Sequence, residues 1–368
     1  MPSDLIVDVV AISGIKPHPN ADKLDIAIIK GWQVVVAKDS YTNGQMVVYF
    51  PPDCLIPEAL AGHLGVTDYL SMRQYEYGTF GRVKAIKLRK EPSYGFAADL
   101  PSFASIPGFD TVVEGDSVAE LLGIRKWEPP QRSSDSAQKT KIIKTIPGFT
   151  KYIDIQNLRN FPNMFEDGEE VIVTEKIHGT NSRCGLVDNP QYAWYKPWTW
   201  GKKNIFAVGS HNVTRKVGSA KLYDIPLTDS VKLLLTTLKK QDAASSVIVF
   251  SEIYGASVQD LGYGLDEPTF AVIDVKVDDE YLSWSDVKTL CSLFNVQHVP
   301  ELYRGKYNYD LIRVLAEGKT MLMSHDIHIR EGCVVKSATE SRHPRYGRKI
   351  AKFVSDNYLF RKSGTEYH

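Results

Sequence analysis

Cysteine is scarce. Cys54, Cys184, Cys291 and Cys333 are the only four in 368 residues, and no two of them form a C-x-x-C pair. Such spacing argues against a zinc ribbon and against a disulfide-built scaffold, and it points to a reducing compartment. An excess of charge is missing as well: 44 Lys and Arg stand against 44 Asp and Glu, so no chain-wide field draws in a polyanion and any nucleic-acid site must be local. No apolar stretch approaches the roughly 18 to 20 residues that span a bilayer. The opening Met1-Pro-Ser-Asp-Leu-Ile-Val-Asp8 lacks the basic start and long apolar run of a signal peptide. The expectation is an intracellular, soluble protein with no membrane partner.

What is present is an ordinary folding composition, 43% hydrophobic, 11% aromatic and 24% charged, with a length that favours two domains. Up to about Trp127 short β segments alternate with turns: Leu5 to Ala11, Ala27 to Lys30, Gln33 to Ala37, Met46 to Phe50 and Arg82 to Leu88. Asn43-Gly44 between two of them is a hairpin-type signal. This pattern predicts a small barrel or sandwich. The run from Glu128 to Lys139 is rich in Pro and Ser and nearly free of apolar residues, which reads as a linker. The expected division is therefore 1–128, a linker over 129–142, and a second domain over 143–368. In that domain strands such as Glu170 to Thr174 and Val247 to Phe250 alternate with helical patterns from Ser230 to Leu238 and from Asp286 to Phe294, the latter with Ser285 as N-cap. The fold class is α+β.

The segment Thr174-Glu-Lys-Ile-His-Gly-Thr-Asn181 holds the sharpest chemistry. It leaves an apolar strand and enters a glycine turn, so Lys176 would be fixed at a strand end. A lysine amine attacks only when deprotonated, and its ordinary pKa of about 10.4 must first be lowered by burial or neighbouring cations. Gly179 would let the backbone pass close to a bound nucleotide. A lone K-x-H-G is more simply a solvated lysine beside a turn. The weight comes from an ordered series downstream: Ser210-His-Asn-Val-Thr-Arg215, Phe250-Ser-Glu-Ile-Tyr-Gly255, Phe270-Ala-Val-Ile-Asp274, Glu331-Gly-Cys-Val-Val-Lys336 and Lys349-Ile-Ala-Lys352.

Together these segments resemble the collinear motifs of the covalent nucleotidyltransferases, over roughly residues 150 to 360. Glu-Lys-x-His-Gly-Thr-Asn is similar to the RNA ligases in particular, since DNA ligases and capping enzymes usually carry Asp where His178 stands. The resemblance implies an antiparallel-sheet nucleotidyltransferase domain of the ATP-grasp-like ligase type. It also implies a role for each matching residue. Lys176 would form a lysyl-AMP phosphoramidate with ATP. Glu175 and Asn181 would contact the nucleoside or its phosphates, and Arg215 ribose or phosphate. Glu252 would engage the ribose hydroxyls or a metal-bound water, and Glu331 would help position Mg²⁺ or Mn²⁺. Phe270 is either an adenine-stacking ring or core. Lys349 and Lys352 compete for one phosphate contact, with Lys352 favoured because it lies in the strand-like Ile350 to Val354. His178 binds a metal-coordinated water, orients phosphate or RNA, or is structural.

Pro17-His-Pro-Asn-Ala-Asp-Lys-Leu24, the strands after it and Tyr49-Phe-Pro-Pro-Asp53 resemble the OB-fold module that precedes the catalytic domain in Deinococcus-type RNA ligases. Arg82, Lys84, Lys87, Arg89 and Lys90 would supply an alternating basic face for RNA, and Arg342-His-Pro-Arg-Tyr-Gly-Arg-Lys349 a second basic cluster. The reading is an ATP-dependent RNA ligase that seals an RNA 5′-phosphate to a 3′-hydroxyl at nicks in duplexes, acting in RNA repair beside end-healing enzymes that the sequence does not specify. The alternatives are a GTP-dependent capping guanylyltransferase, a DNA ligase, and a non-catalytic RNA-binding protein.

Overall fold

The computed structural model describes residues 6–127, 143–192, 195, 203–322 and 328–361. The expected linker, 129–142, lies outside them. The described chain forms two compact units. One comprises 6–127 with 156–163 and 359–361; the other comprises 143–155 and 164–358.

The first unit is built from short strands: β1 (Asp8–Ala11), β2 (Gly14–Pro17), β3 (Leu24–Ile29), β4 (Trp32–Ala37), β5 (Met46–Phe50), β6 (Cys54–Pro57), β7 (Ser71–Tyr75), β8 (Gly78–Arg82), β9 (Ala85–Leu88), β10 (Glu91–Tyr94), β11 (Phe96–Asp99), β12 (Arg125–Lys126) and β13 (Gln156–Asn157). One helix, α1 (Glu58–His63), interrupts them. The sheets run β1-β5-β11, β2-β3-β4, β12-β6-β8-β7 and β10-β9. Central β5 has Val47, Val48, Tyr49 and Phe50 wholly buried, because both of its faces are covered.

Three sequence expectations change here. Gly44 does adopt a left-handed φ of +80°, but the strands on either side of it join different sheets, so Asn43-Gly44 is a turn and not a hairpin. The tight hairpins are elsewhere. Arg89 and Lys90, with φ of +48° and +79°, link β9 to β10, a two-residue turn made without glycine. The expected strand from Arg82 to Leu88 is broken at Val83-Lys84. Its cations consequently do not alternate along one face: Arg82 donates to Asp53 and lies 3.3 Å from the Trp127 ring centroid, Lys87 sits over Phe360, and Arg89 and Lys90 form a turn tip.

The second unit holds two antiparallel sheets. One contains β14 (Glu170–Lys176), β21 (Glu301–Lys306), β22 (Gly332–Ser337) and β25 (Ile350–Val354), ordered β25-β22-β14-β21. The other contains β15 (Thr180–Asp188), β16 (Asn204–Ser210), β17 (Thr214–Arg215), β18 (Ser246–Tyr254), β19 (Thr269–Val277) and β20 (Glu280–Tyr281), ordered β17-β16-β15-β18-β19-β20. Short β23 (Arg342–His343) and β24 (Gly347–Arg348) pair with each other.

Helices α2 (Asp229–Gln241) and α3 (Trp284–Leu293) lay Val231, Leu234, Leu235 and Val287 against Val247, Val249 and Val275. Thr228 caps α2. Ser283, two residues before the expected Ser285, caps α3 through Asp286 N–H. Two short helices, α4 (Tyr309–Ala316) and α5 (Asp356–Leu359), complete the unit.

Candidate active site

β14 and β15 belong to different sheets, and only Ile177, His178 and Gly179 separate them. The chain must therefore turn sharply between the two sheets, and Lys176 is the last residue before it does. A buried β-branched run, Val171-Ile172-Val173, anchors β14. On the far side Gly179 passes so close to β18 that a Cβ there would lie 2.2 Å from the Ile253 carbonyl oxygen and 3.0 Å from Glu252 Cγ. Glycine is thus demanded by a neighbouring strand, a reason the sequence did not show.

Around this turn three charged side chains meet. Lys176 Nζ donates to Glu331 Oε1 at 2.6 Å. The other oxygen, Glu331 Oε2, is buried without a hydrogen bond and lies 4.0 Å from His178 Nδ1. Glu252 on β18 stands opposite Asn181 on β15. Burial pushes its carboxyl up to about 7; the Lys176 cation and the Asn181 amide act against that rise and Glu331 adds to it. Neither amide atom of Asn181 completes a hydrogen bond of good geometry. A buried Glu331 oxygen without a hydrogen bond, with Glu252 and the Lys176 cation close by, is what a site for a divalent cation and a phosphate-bearing ligand needs.

His178 is buried and both ring nitrogens are engaged, with Asp260 and with Tyr358. Burial first, and the Lys176 charge with it, holds its pKa below the ordinary value against the pull of Glu331 and Asp260, so the imidazole is neutral near pH 7.

Other residues picked from the sequence are placed differently. Glu175 points to the opposite face of β14 from Lys176, where its Oε2 accepts from Met321 N–H at 2.8 Å and burial raises its pKa. Arg215, on β17 across β16 from β15, lies 4.8 Å from the Tyr223 ring centroid. Phe270, opposite Ile253 on β19, packs against the apolar cluster of the second unit. Lys349 binds Glu169 at 2.5 Å, at the far end of β14 from Lys176, about 20 Å away at 3.3 Å per residue. Lys352 has Val334 as register neighbour, and Val334 has Thr174, so it shares the Lys176 face of the sheet.

The expected basic cluster from Arg342 to Lys349 loses two cations to internal pairs. Arg348 binds buried Asp274 at 2.6 Å together with Lys336 at 3.1 Å and the Tyr152 hydroxyl. Burial would raise the Asp274 pKa, but Lys336 and Arg348 outweigh it and hold the carboxyl below its usual range. Sequence reasoning missed Asp260, Tyr263 and Tyr358 around the turn, because each is a lone polar residue in a segment with no motif.

Among the described residues no group of three or more His, Cys, Asp or Glu is placed to hold a metal ion. No described helix is long and apolar enough to cross a membrane, and all four cysteines are free and buried.

Solved structures of the same architecture exist. Naegleria gruberi RNA ligase with PPi superposes with a TM-score of 0.74 at 23% identity, covering 97% of this chain and 98% of that one. Two mutants of that ligase, one with ATP and Mn and one with AMP and Mn, each give a TM-score of 0.75, at 22% and 23% identity, over 96% of this chain and 98% of theirs. No curated protein matches the sequence. An OB-fold domain model matches residues 6–100, which makes the N-terminal barrel an OB-fold. The RNA ligase model matches residues 169–354, half of the chain and all of the strands around Lys176, so the chain belongs to the RNA ligase family.

Proposed function

We propose that the protein is an ATP-dependent RNA ligase in which Lys176 is the nucleophile. The observation that supports this most directly is the lysine at the end of β14, 2.6 Å from Glu331 and close enough to Glu252 to influence its ionisation. In the first step the Lys176 amine attacks the α-phosphorus of ATP, the bond to the β-phosphate oxygen breaks, and pyrophosphate leaves with the electron pair. Glu331 is the nearest acceptor for the proton that Lys176 must release. In the second step an RNA 5′-phosphate oxygen attacks the same phosphorus and the P–N bond breaks, returning the electron pair to Lys176. In the third the 3′-hydroxyl attacks the activated 5′-phosphate and AMP departs.

Glu331 and Glu252 are the residues that would hold Mg²⁺ or Mn²⁺. A divalent cation there would supply neutralisation of charge on the attacked phosphate and the departing pyrophosphate. Asn181, Arg215 and Lys352 contact the nucleotide in this reading, with Lys352 taking the phosphate role because it shares the Lys176 face. Glu175, Gly179 and His178 shape the pocket from behind. The substrate is RNA at a nick in a duplex, and the OB-fold is the RNA-binding part; 1–128 and 143–368 divide the chain by order alone, since residues 156–163 and 359–361 pack with the OB-fold. The complexes of the Naegleria ligase with ATP, AMP and PPi support the nucleotide assignment.

The test is incubation with α-labelled ATP or GTP and Mg²⁺, then a denaturing gel. A labelled adduct from ATP that Lys176→Ala abolishes is the expected result. An adduct from GTP alone, or none, would overturn the assignment.

A further inference from the structure

His178 is two residues from Lys176, yet its ring is fully occupied inside the protein. Nε2 lies 2.5 Å from Asp260 Oδ1 and Nδ1 lies 2.7 Å from the Tyr358 hydroxyl. A carboxylate only accepts, so Nε2 carries the hydrogen; in the neutral ring Nδ1 then accepts from Tyr358. The backbone of the same turn is gripped too. His178 N–H donates to the Tyr263 hydroxyl at 2.7 Å, and the Gly179 carbonyl accepts from Gln259 Nε2 at 3.2 Å.

Gln259, Asp260 and Tyr263 all come from the segment that follows β18, whose own backbone is strained: Ser257 and Tyr263 hold left-handed φ values of +62° and +53°. Non-glycine residues keep such angles only where surrounding contacts fix them. From the other side Tyr358 is equally fixed. Its N–H donates to Ser355 Oγ at 3.1 Å, and the Ser355 hydroxyl donates to Glu317 at 2.9 Å. Ser355 N–H donates to the carbonyl of Glu331, the residue whose side chain holds Lys176. The imidazole therefore ties the segment after β18 to the segment carrying Glu331, directly behind the nucleophile.

We propose that Asp260 and Tyr358 are positioning residues: by gripping both nitrogens of His178 they hold the Ile177–Gly179 turn in the geometry that aims Lys176. With both nitrogens engaged, His178 acts on the turn and does not itself contact phosphate. This rests on Lys176 being the nucleophile. It carries a step-specific consequence. The P–N bond forms in the first step and breaks in the second, so both depend on where Lys176 points. Sealing a strand that already carries 5′-AMP involves no bond to lysine.

The experiment compares the full-length protein with Asp260→Asn, Tyr358→Phe and His178→Asn in two single-turnover assays. One follows adduct formation from α-labelled ATP; the other follows sealing of a pre-adenylylated RNA strand across a nick. The expected result in all three is a loss on the order of 10- to 100-fold in adduct formation; in Asp260→Asn and Tyr358→Phe sealing of the pre-adenylylated strand should stay within about twofold of wild type, because that step makes no bond to Lys176. Asp260→Asn added to His178→Asn should cost nothing further. Wild-type adduct rates in Asp260→Asn and Tyr358→Phe overturn the positioning role while leaving the ligase reading intact. Equal losses in both assays, or additive losses in the double variant, also overturn it, since they indicate general destabilisation. A wild-type protein that forms no adduct removes the reading and the inference together.

Discussion

At the scale of single residues the site is a compromise between ionisation and burial. Glu252 has a folded pKa near 7 against an ordinary 4.5, with burial as the leading cause. Between those values the folded protein keeps a proton that the unfolded chain has released, so stability falls as pH rises through that window and the loss is complete above 7. Glu252→Gln removes the penalty. In nucleotide-free, metal-free protein the variant should be more stable than wild type at pH 8 by roughly 1–3 kcal/mol and nearly equal to it at pH 4.5, as urea unfolding at the two pH values would show. Equal stability at pH 8 would mean the carboxyl carries no such penalty. Gly179→Ala tests the opposite kind of constraint. Its Cβ would meet the Ile253 carbonyl at 2.2 Å, so the expected cost is about 1–3 kcal/mol, seen as a lowered unfolding midpoint. The loss should be accompanied by weaker adenylylation, because the same turn carries Lys176.

Strands explain why two lysines three residues apart differ. Lys352 lies within β25, whose register through Val334 to Thr174 gives it the Lys176 face; Lys349 precedes that strand and ends on Glu169. Lys352→Ala should therefore slow adduct formation by roughly 10- to 1000-fold, the range for loss of one charge-stabilising donor, whereas Lys349→Ala should lower stability and leave the rate of that step within about threefold, as for a partly exposed ion pair. The reverse ranking, measured by adduct formation at saturating ATP, would refute the assignment. Much of this was legible in the sequence: the apolar run before Lys176 fixed a strand end, and the ordered motifs brought Glu252 and Glu331 to it. The partners of His178 were not, because Asp260 and Tyr358 are 82 and 180 residues away and carry no local pattern. The turn at Arg89-Lys90 was hidden for another reason, since neither residue advertises a positive φ. Arg89→Asn with Lys90→Gly, which suits that turn, should raise stability in urea unfolding by about 1 kcal/mol, because the left-handed strain relieved at two side chains exceeds the unfolded-state entropy that glycine adds.

On the scale of the whole chain, order along the sequence and membership of a unit are different things. Residues 156–163 lie well beyond the OB-fold in sequence, yet they pack with it. Arg159 is 3% exposed, with its guanidinium 5.2 Å from the Trp32 ring centroid and 5.0 Å from that of Tyr94. Asn160 Oδ1 accepts from Trp32 Nε1 at 2.7 Å, and the Arg159 carbonyl accepts from Gly31 N–H at 2.8 Å. A buried cation–π pair contributes about 2 kcal/mol and each hydrogen bond about 1, so a fragment ending at residue 142 should lose roughly 2–4 kcal/mol of the stability its β-barrel has in the full chain. A peptide of residues 153–165 supplied in trans should restore part of that loss, and the same peptide with Arg159→Ala should restore less. Thermal unfolding of the fragment, followed by the fluorescence of its two tryptophans, Trp32 and Trp127, reports both. No shift with either peptide would show that these contacts contribute little, and the chain order alone would then suffice to define the unit. A shift with the wild-type peptide would mean that the second passage of the chain is part of what holds the N-terminal barrel together. In that case the boundary suited to dissecting a ligase of this kind is a packing boundary, to be found from contacts such as those of Arg159 and not from the position of a polar linker.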